Sequence, residues 1–277
     1  MARHPGPRLG TTRLARTAHL ARRLTVNLAY WDALADRFDD EVLSIADSEI
    51  NGKLRSAIRR ASRIGSCVGD FGCGTGALLP TLSENFSNVL AIDFSSDLLR
   101  LAEERHGTRS NIQFVRHNLS GTRPFLKFVD VGVCANVLID PRTHIRERIL
   151  RNMLPSIREG GLLLVVVPAF ESLLHTYRTL VRCNVRIGVR RATAVREATD
   201  LYESEVQSVV EGIVTLGTAP TKTYMYDEAR HLLEDSGLEI VRVDRVEYPW
   251  DEMIENAPSE LGSPYPWDWL LTARMPE

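Results

Sequence analysis

The stretch Cys67-Val68-Gly69-Asp70-Phe71-Gly72-Cys73-Gly74-Thr75-Gly76 decides the fold. Its first half is a short run with strand character, and its second half alternates glycine with small residues. Residues 77–84 then follow a helical pattern. Gly72, Gly74 and Gly76 permit a sharp turn and let a ligand approach the main chain, because no Cβ stands in the way. On the C-terminal side, residues 88–93 (NVLAID), 112–115, 129–135 (VDVGVCA) and 162–167 (LLLVVV) read as four further strands. Residues 97–106 and about 142–158 read as helices, with Gly160-Gly161 as the turn into the fifth strand. Strands alternating with helices of this length imply βαβ units and a parallel sheet covered on both faces.

Beyond the fifth strand the rhythm breaks. Residues 172–200 read as one helix carrying Arg178, Arg182, Arg186, Arg190, Arg191 and Arg196. Residues 212–225 alternate and contain Gly217 and Pro220, so a hairpin is expected there. Residues 172–225 together form an insertion on the substrate side. Residues 226–236 are a helix stopped by Gly237, and residues 238–246 and 269–273 supply two closing strands. The tetrapeptide Tyr-Pro-Trp-Asp occurs at 248–251 and again at 265–268, placing Trp250 and Trp267 as packing residues or pocket walls.

At the other end, residues 1–26 form a basic tail or a targeting segment: the first 31 residues hold six arginines and no acid. Residues 27–277 form the folded domain, opening on an N-terminal helical cap. The expected location is cytoplasmic, with a mitochondrion or plastid as the alternative if the basic segment is a transit peptide. The chain of 277 residues is 44% hydrophobic and 25% charged, as for ordinary soluble domains. Its 34 basic against 36 acidic side chains argue against a dedicated nucleic-acid binder, DNA included, and no apolar run is long enough for stable insertion in a membrane. Cys67, Cys73, Cys134 and Cys183 show neither paired spacing nor a metal-ligand pattern, so free thiols and no metal are expected.

Two acids give the glycine loop its chemistry. Asp93 ends the second strand, 17 residues beyond Gly76, where a carboxylate can accept both hydroxyls of a ribose. A nucleoside-containing ligand is therefore expected across the carboxyl ends of the strands. The glycines alone also satisfy the looser dinucleotide fingerprint. Asp70 separates the two readings. A negative charge just before the loop opposes a pyrophosphate but suits the α-ammonium of a methionine-like ligand, and it tolerates a sulfonium.

With these residues in place, the sequence resembles the class I, Rossmann-like S-adenosylmethionine-dependent methyltransferases. The resemblance rests on VGDFGCGTGALLP, VLAIDFSSDLLRLAEER, IQFVRHNL, FVDVGVCANVLID and LLLVVVP, in family order over about residues 29–167. TKTYMYDEARHLLEDSGLEIVRV looks like the family's last helix and sixth strand. It implies a seven-strand, mostly parallel α/β sheet and S-adenosylmethionine as cofactor. Asp70, Gly72, Cys73, Gly74 and Gly76 would surround the methionine half, and Asp93 would hold the ribose. Phe94 would pack on the adenine, with Asn118 and Leu119 beside it; Asn118 stands where members commonly carry Asp. Asn136 would face the point of methyl transfer, and Tyr30 would cover the cofactor.

The implied activity is methyl transfer to a small organic acceptor at an O, N or C atom. Alternatives are an NAD(P)-dependent oxidoreductase, a methyltransferase acting on protein or RNA, and a non-catalytic partner that keeps the pocket. Strand four is not followed by an Asn/Asp-Pro-Pro-aromatic motif, and no Tyr-x-x-x-Lys pair is present. Of the histidines, His144 alone is expected within a substrate's reach, as a weak candidate for a general base. The arginines after strand five can attract an anionic substrate or a membrane surface, or simply form a solvated helix face.

Overall fold

The computed structural model describes residues 13–14, 31–32, 35, 38, 44–216 and 219–277. The expected strands form in order: β1 (Cys67–Phe71), β2 (Asn88–Asp93), β3 (Ile112–Arg116), β4 (Val129–Ala135) and β5 (Ile157–Pro168). Helices α1 (Lys53–Ala61), α2 (Leu79–Asn85), α3 (Ser96–His106) and α4 (Thr143–Met153) flank or connect them. α1 buries Leu54, Ala57, Ile58 and Ala61, the spacing of one helical face. α3 starts at Ser95, whose hydroxyl accepts the Leu98 N–H at 3.2 Å.

After β5 come α5 (Phe170–Arg186), α6 (Arg191–Glu205), β6 (Val206–Ser208), β7 (Ile213–Leu216) and β8 (Ala219–Lys222). The chain closes with α7 (Tyr226–Glu234), β9 (Glu239–Glu247) and β10 (Trp267–Arg274). The seven-strand sheet has the order β9-β10-β5-β4-β1-β2-β3, and β10 runs antiparallel to both of its neighbours. β6, β7 and β8 form a separate antiparallel sheet. This is the mixed α/β, Rossmann-like architecture expected of the sequence. Arg13–Leu14 pair with Ile254–Glu255, and the rest of the basic amino-terminal segment lies outside the described residues.

Two expectations need correction. Gly160-Gly161 is a bulge inside β5 and not a turn before it: the register jumps from Val129 opposite Ile157 to Val131 opposite Leu162. The helix expected over 172–200 is two helices, broken where Gly188 adopts φ +94°. Two apolar clusters line the faces of the sheet, with Val165 and Val167 of β5 in one and Leu164 and Val166 in the other. A third cluster joins α5 to Val214 of β7 and to Trp250, Ile254 and Leu261. Asp130 of β4 fastens the start of β1 by accepting the Ser66 and Cys67 N–H groups at 2.8 and 2.9 Å, and it also takes Arg158 Nε at 2.7 Å.

Candidate active site

Strand order reverses between β1 and β4, and ligands of open α/β sheets bind in the crevice at such a point. A cavity of about 570 Å³ lies there, lined by Asp70, the glycine loop, Asp93 and Asn136. Gly72, Gly74 and Gly76 have φ of +79°, +55° and +89°, where a side chain would be strained. A Cβ on Gly72 would also lie 2.4 Å from Val137 Cγ2. The Ile92 carbonyl of β2 accepts the N–H groups of Gly72 and Cys73 at 2.7 and 3.0 Å, which shapes the loop.

Asp93 is buried, and its two oxygens accept the Gly74 and Ser95 N–H groups, each at 2.9 Å. It therefore ties the glycine loop to the start of α3, a role that its position in the sequence does not announce. A carboxylate offers about four lone-pair sites, so acceptor capacity is left for a ligand hydroxyl. Burial raises the Asp93 carboxyl above its ordinary range, against the pull of the Ser95, Gly74 and Phe94 N–H groups, and the Asp32 charge adds to the rise.

Asp70 is 2% exposed, and burial, with the Asp93 charge second, pushes its carboxyl up to about 7. Its Oδ2 has no partner among the described residues. Asn136, just after β4, has φ +54°, and its buried Oδ1 is likewise unpartnered. Buried polar atoms are rarely left so; these two acceptors, with the unpartnered Trp267 Nε1 donor in the same lining, leave hydrogen-bonding capacity open to a ligand.

Phe94 and Leu119 line the cavity, and so does Asn118, whose Oδ1 is taken by the Ser120 N–H and hydroxyl at 2.9 and 2.7 Å. Cys73 lines it too; burial lifts its thiol well above the ordinary range and pushes the buried Cys134 thiol up to about 12. Neither is a thiolate near neutrality. His144 is exposed and does not line the cavity, whereas His117 does, its ring 5.2 Å from that of Phe125. Tyr30 lies outside the described residues; nearby Trp31 and Phe38 line the cavity with ring centres 6.0 Å apart.

The opposite wall comes from the insertion: Ser172 and Thr176 of α5, Glu205 at the end of α6, Thr215 of β7 and Thr221 of β8. Trp267 also lines the cavity, while Trp250 is buried outside its lining, 5.4 Å from the His175 ring. Glu205 was not singled out in the sequence, although a signal existed. It shares a helical face with Ala194, Ala198 and Leu201, where an acid is out of place. Among the described residues no group of three or more His, Cys, Asp or Glu is arranged to hold a metal ion, and no helix is long and apolar enough to cross a membrane.

Residues 68–161 match the family model of a methyltransferase domain. A tRNA/tmRNA (uracil-C(5))-methyltransferase from Campylobacter hominis is 25% identical over 116 residues, 38% of this chain and 32% of that protein. The chain thus matches about a third of the length of that curated relative. Among solved structures, a SAM-dependent methyltransferase from Methanosarcina mazei is similar with a TM-score of 0.57 at 18% identity, covering 79% of this chain and 97% of that one. The N-methyltransferase NodS from Bradyrhizobium japonicum, in complex with S-adenosyl-L-homocysteine, gives 0.55 at 16% identity over 89% and 99% of the two chains. At these identities the likeness to the solved structures is one of fold.

Proposed function

We propose that this chain, whose residues 68–161 match the family model of a methyltransferase domain, is a class I, Rossmann-like enzyme that transfers a methyl group from S-adenosylmethionine to a small organic acceptor. The carrying observation is Asp70: a buried carboxylate with an unpartnered oxygen, set just before a loop of three positive-φ glycines. That pairing fits an α-ammonium and disfavours a pyrophosphate. Gly72 and Gly74 open the main chain to the methionine portion, and Asp93 keeps acceptor capacity for ribose hydroxyls. Phe94 and Leu119 offer apolar surface to the adenine, and Asn136 stands on the acceptor side of the loop.

When bound, the cofactor supplies a sulfonium methyl, an electrophile that needs only an aligned nucleophile. The chain's part is then to hold the acceptor in line and keep water out, and orientation of this kind accounts for much of the rate in bimolecular reactions. Side chains of residues 172–221 line the cavity opposite the glycine loop, which suits a small substrate. Calorimetric titration with S-adenosylhomocysteine and NADH tests the reading. The expected result is binding of S-adenosylhomocysteine alone, weakened at least about tenfold in Asp93→Ala at a temperature where the variant is still folded. Binding of NADH instead would withdraw the methyltransferase reading.

An RNA acceptor is the second reading, favoured by the exposed arginines of α5 and α6 and by the likeness to a tRNA-modifying enzyme. It requires RNA association that weakens steeply as salt rises, because phosphate contacts release counterions.

A further inference from the structure

Glu205 is a buried acid on the insertion side of the cavity, 6% exposed. The Tyr177 hydroxyl donates to Oε2 at 2.5 Å, which leaves Oε1 as the oxygen available to a ligand donor. No described lysine or arginine forms an ion pair with it. Arg142, the arginine in the cavity lining, is bonded to Asp140 at 2.7 Å. Burial raises the Glu205 carboxyl, the Tyr177 hydrogen bond pulls it back, and no cation among the described residues contributes. Glu252 adds a further acid to the same lining. An anionic acceptor would meet uncompensated negative charge here, whereas a buried carboxylate lacking a countercharge gains most from a ligand that brings one.

We propose that Glu205, held in place by Tyr177, recognises the ammonium group of a small amine-bearing acceptor. Where that nitrogen is itself the methyl acceptor, it first yields one proton to the Glu205 carboxylate. The lone pair so freed forms the N–C bond as the S–C bond of the sulfonium breaks and S-adenosylhomocysteine leaves. The proposal rests on the methyl-transfer reading above and adds the acceptor's chemical class. An alcohol could donate one hydrogen bond to Oε1 but would leave the charge uncompensated. An ammonium offers both hydrogen bond and charge. Leu173, Leu216 and Met253 supply apolar wall for the rest of the molecule.

The test uses the full chain, first titrated with S-adenosylhomocysteine and then, when loaded, with 2-phenylethylammonium, 2-phenylethanol or 3-phenylpropionate. The ammonium should bind at least about tenfold more tightly than the other two. In Glu205→Gln that preference should vanish while S-adenosylhomocysteine affinity stays within about twofold, because an amide still accepts the Tyr177 hydroxyl. A merely structural tie between α5 and α6 would survive that change and show no charge selectivity. Tyr177→Phe, which keeps the carboxylate, should retain the preference and serves if the first variant fails to fold. Equal affinity for the three probes, a preference for the carboxylate, or no binding of any probe to the loaded chain overturns the proposal. Failure to bind S-adenosylhomocysteine at all appears in the first titration; it refutes the methyl-transfer reading, and the amine site falls with it.

Discussion

Asp70 carries the sharpest consequence of any single side chain. The folded protein keeps its proton up to about pH 7, against an ordinary 3.8. Between those values the folded state holds a proton that the unfolded chain has released, so stability falls as pH rises through the window. The difference is on the order of 4 kcal/mol for the ligand-free chain, and Asp70→Asn should flatten it. Urea denaturation at several pH values between 4 and 7 measures the slope. A ligand ammonium favours the carboxylate form, so below pH 7 S-adenosylhomocysteine should bind with release of a proton and ever more weakly as pH drops. Calorimetry in two buffers of different ionisation heat counts that proton, and a zero count refutes the assignment. Asp70 and Asp93 were legible in the sequence because a strand, a glycine loop and a helix fix their neighbourhood locally. Glu205 offered only the sign of an acid on an apolar helix face, and its place at the cavity was not legible, since packing between distant segments brings it there.

Among the elements, the glycine pair of β5 offers a contrast within two residues. A Cβ on Gly161 would lie 2.7 Å from the Asp130 carbonyl oxygen and 2.8 Å from that of Arg158, so backbone must move. A Cβ on Gly160 meets nothing within 4 Å and suffers only the strain of φ +67°. Gly160→Ala should cost about 1–2 kcal/mol and Gly161→Ala about 3 kcal/mol or more, read from urea midpoints. Equal costs would contradict the bulge geometry. The bounds of β1, β2 and β4 were readable from their apolar runs and the punctuation around them. The break between α5 and α6 was hidden, because Arg178, Arg182, Arg186 and Arg190 recur every four residues straight across Gly188. The bulge was hidden as well, since Gly-Gly marks a turn and an irregular strand equally well.

At the scale of the molecule, three apolar clusters divide the labour. Leu164 lies in the middle of β5 and Leu180 in the cluster of the insertion, both buried. Truncating either to Ala should cost about 2–5 kcal/mol. Leu164→Ala should speed amide exchange throughout the sheet. Leu180→Ala should speed it only between α5 and β8 and leave S-adenosylhomocysteine affinity within about twofold. Uniform acceleration in both would mean that the insertion is not a separate cooperative unit. The outer rim of the sheet has a consequence of a different kind. β9 ends the sheet with Arg242 bonded to Asp244 at 2.5 and 2.8 Å, and Arg60 stands 3.7 Å from the same carboxylate. A bare rim of unpaired amides invites a neighbouring molecule to dock strand to strand and begin a fibril. Here such docking would have to strip water from an anchored ion cluster, which raises the cost of colloidal association along this rim.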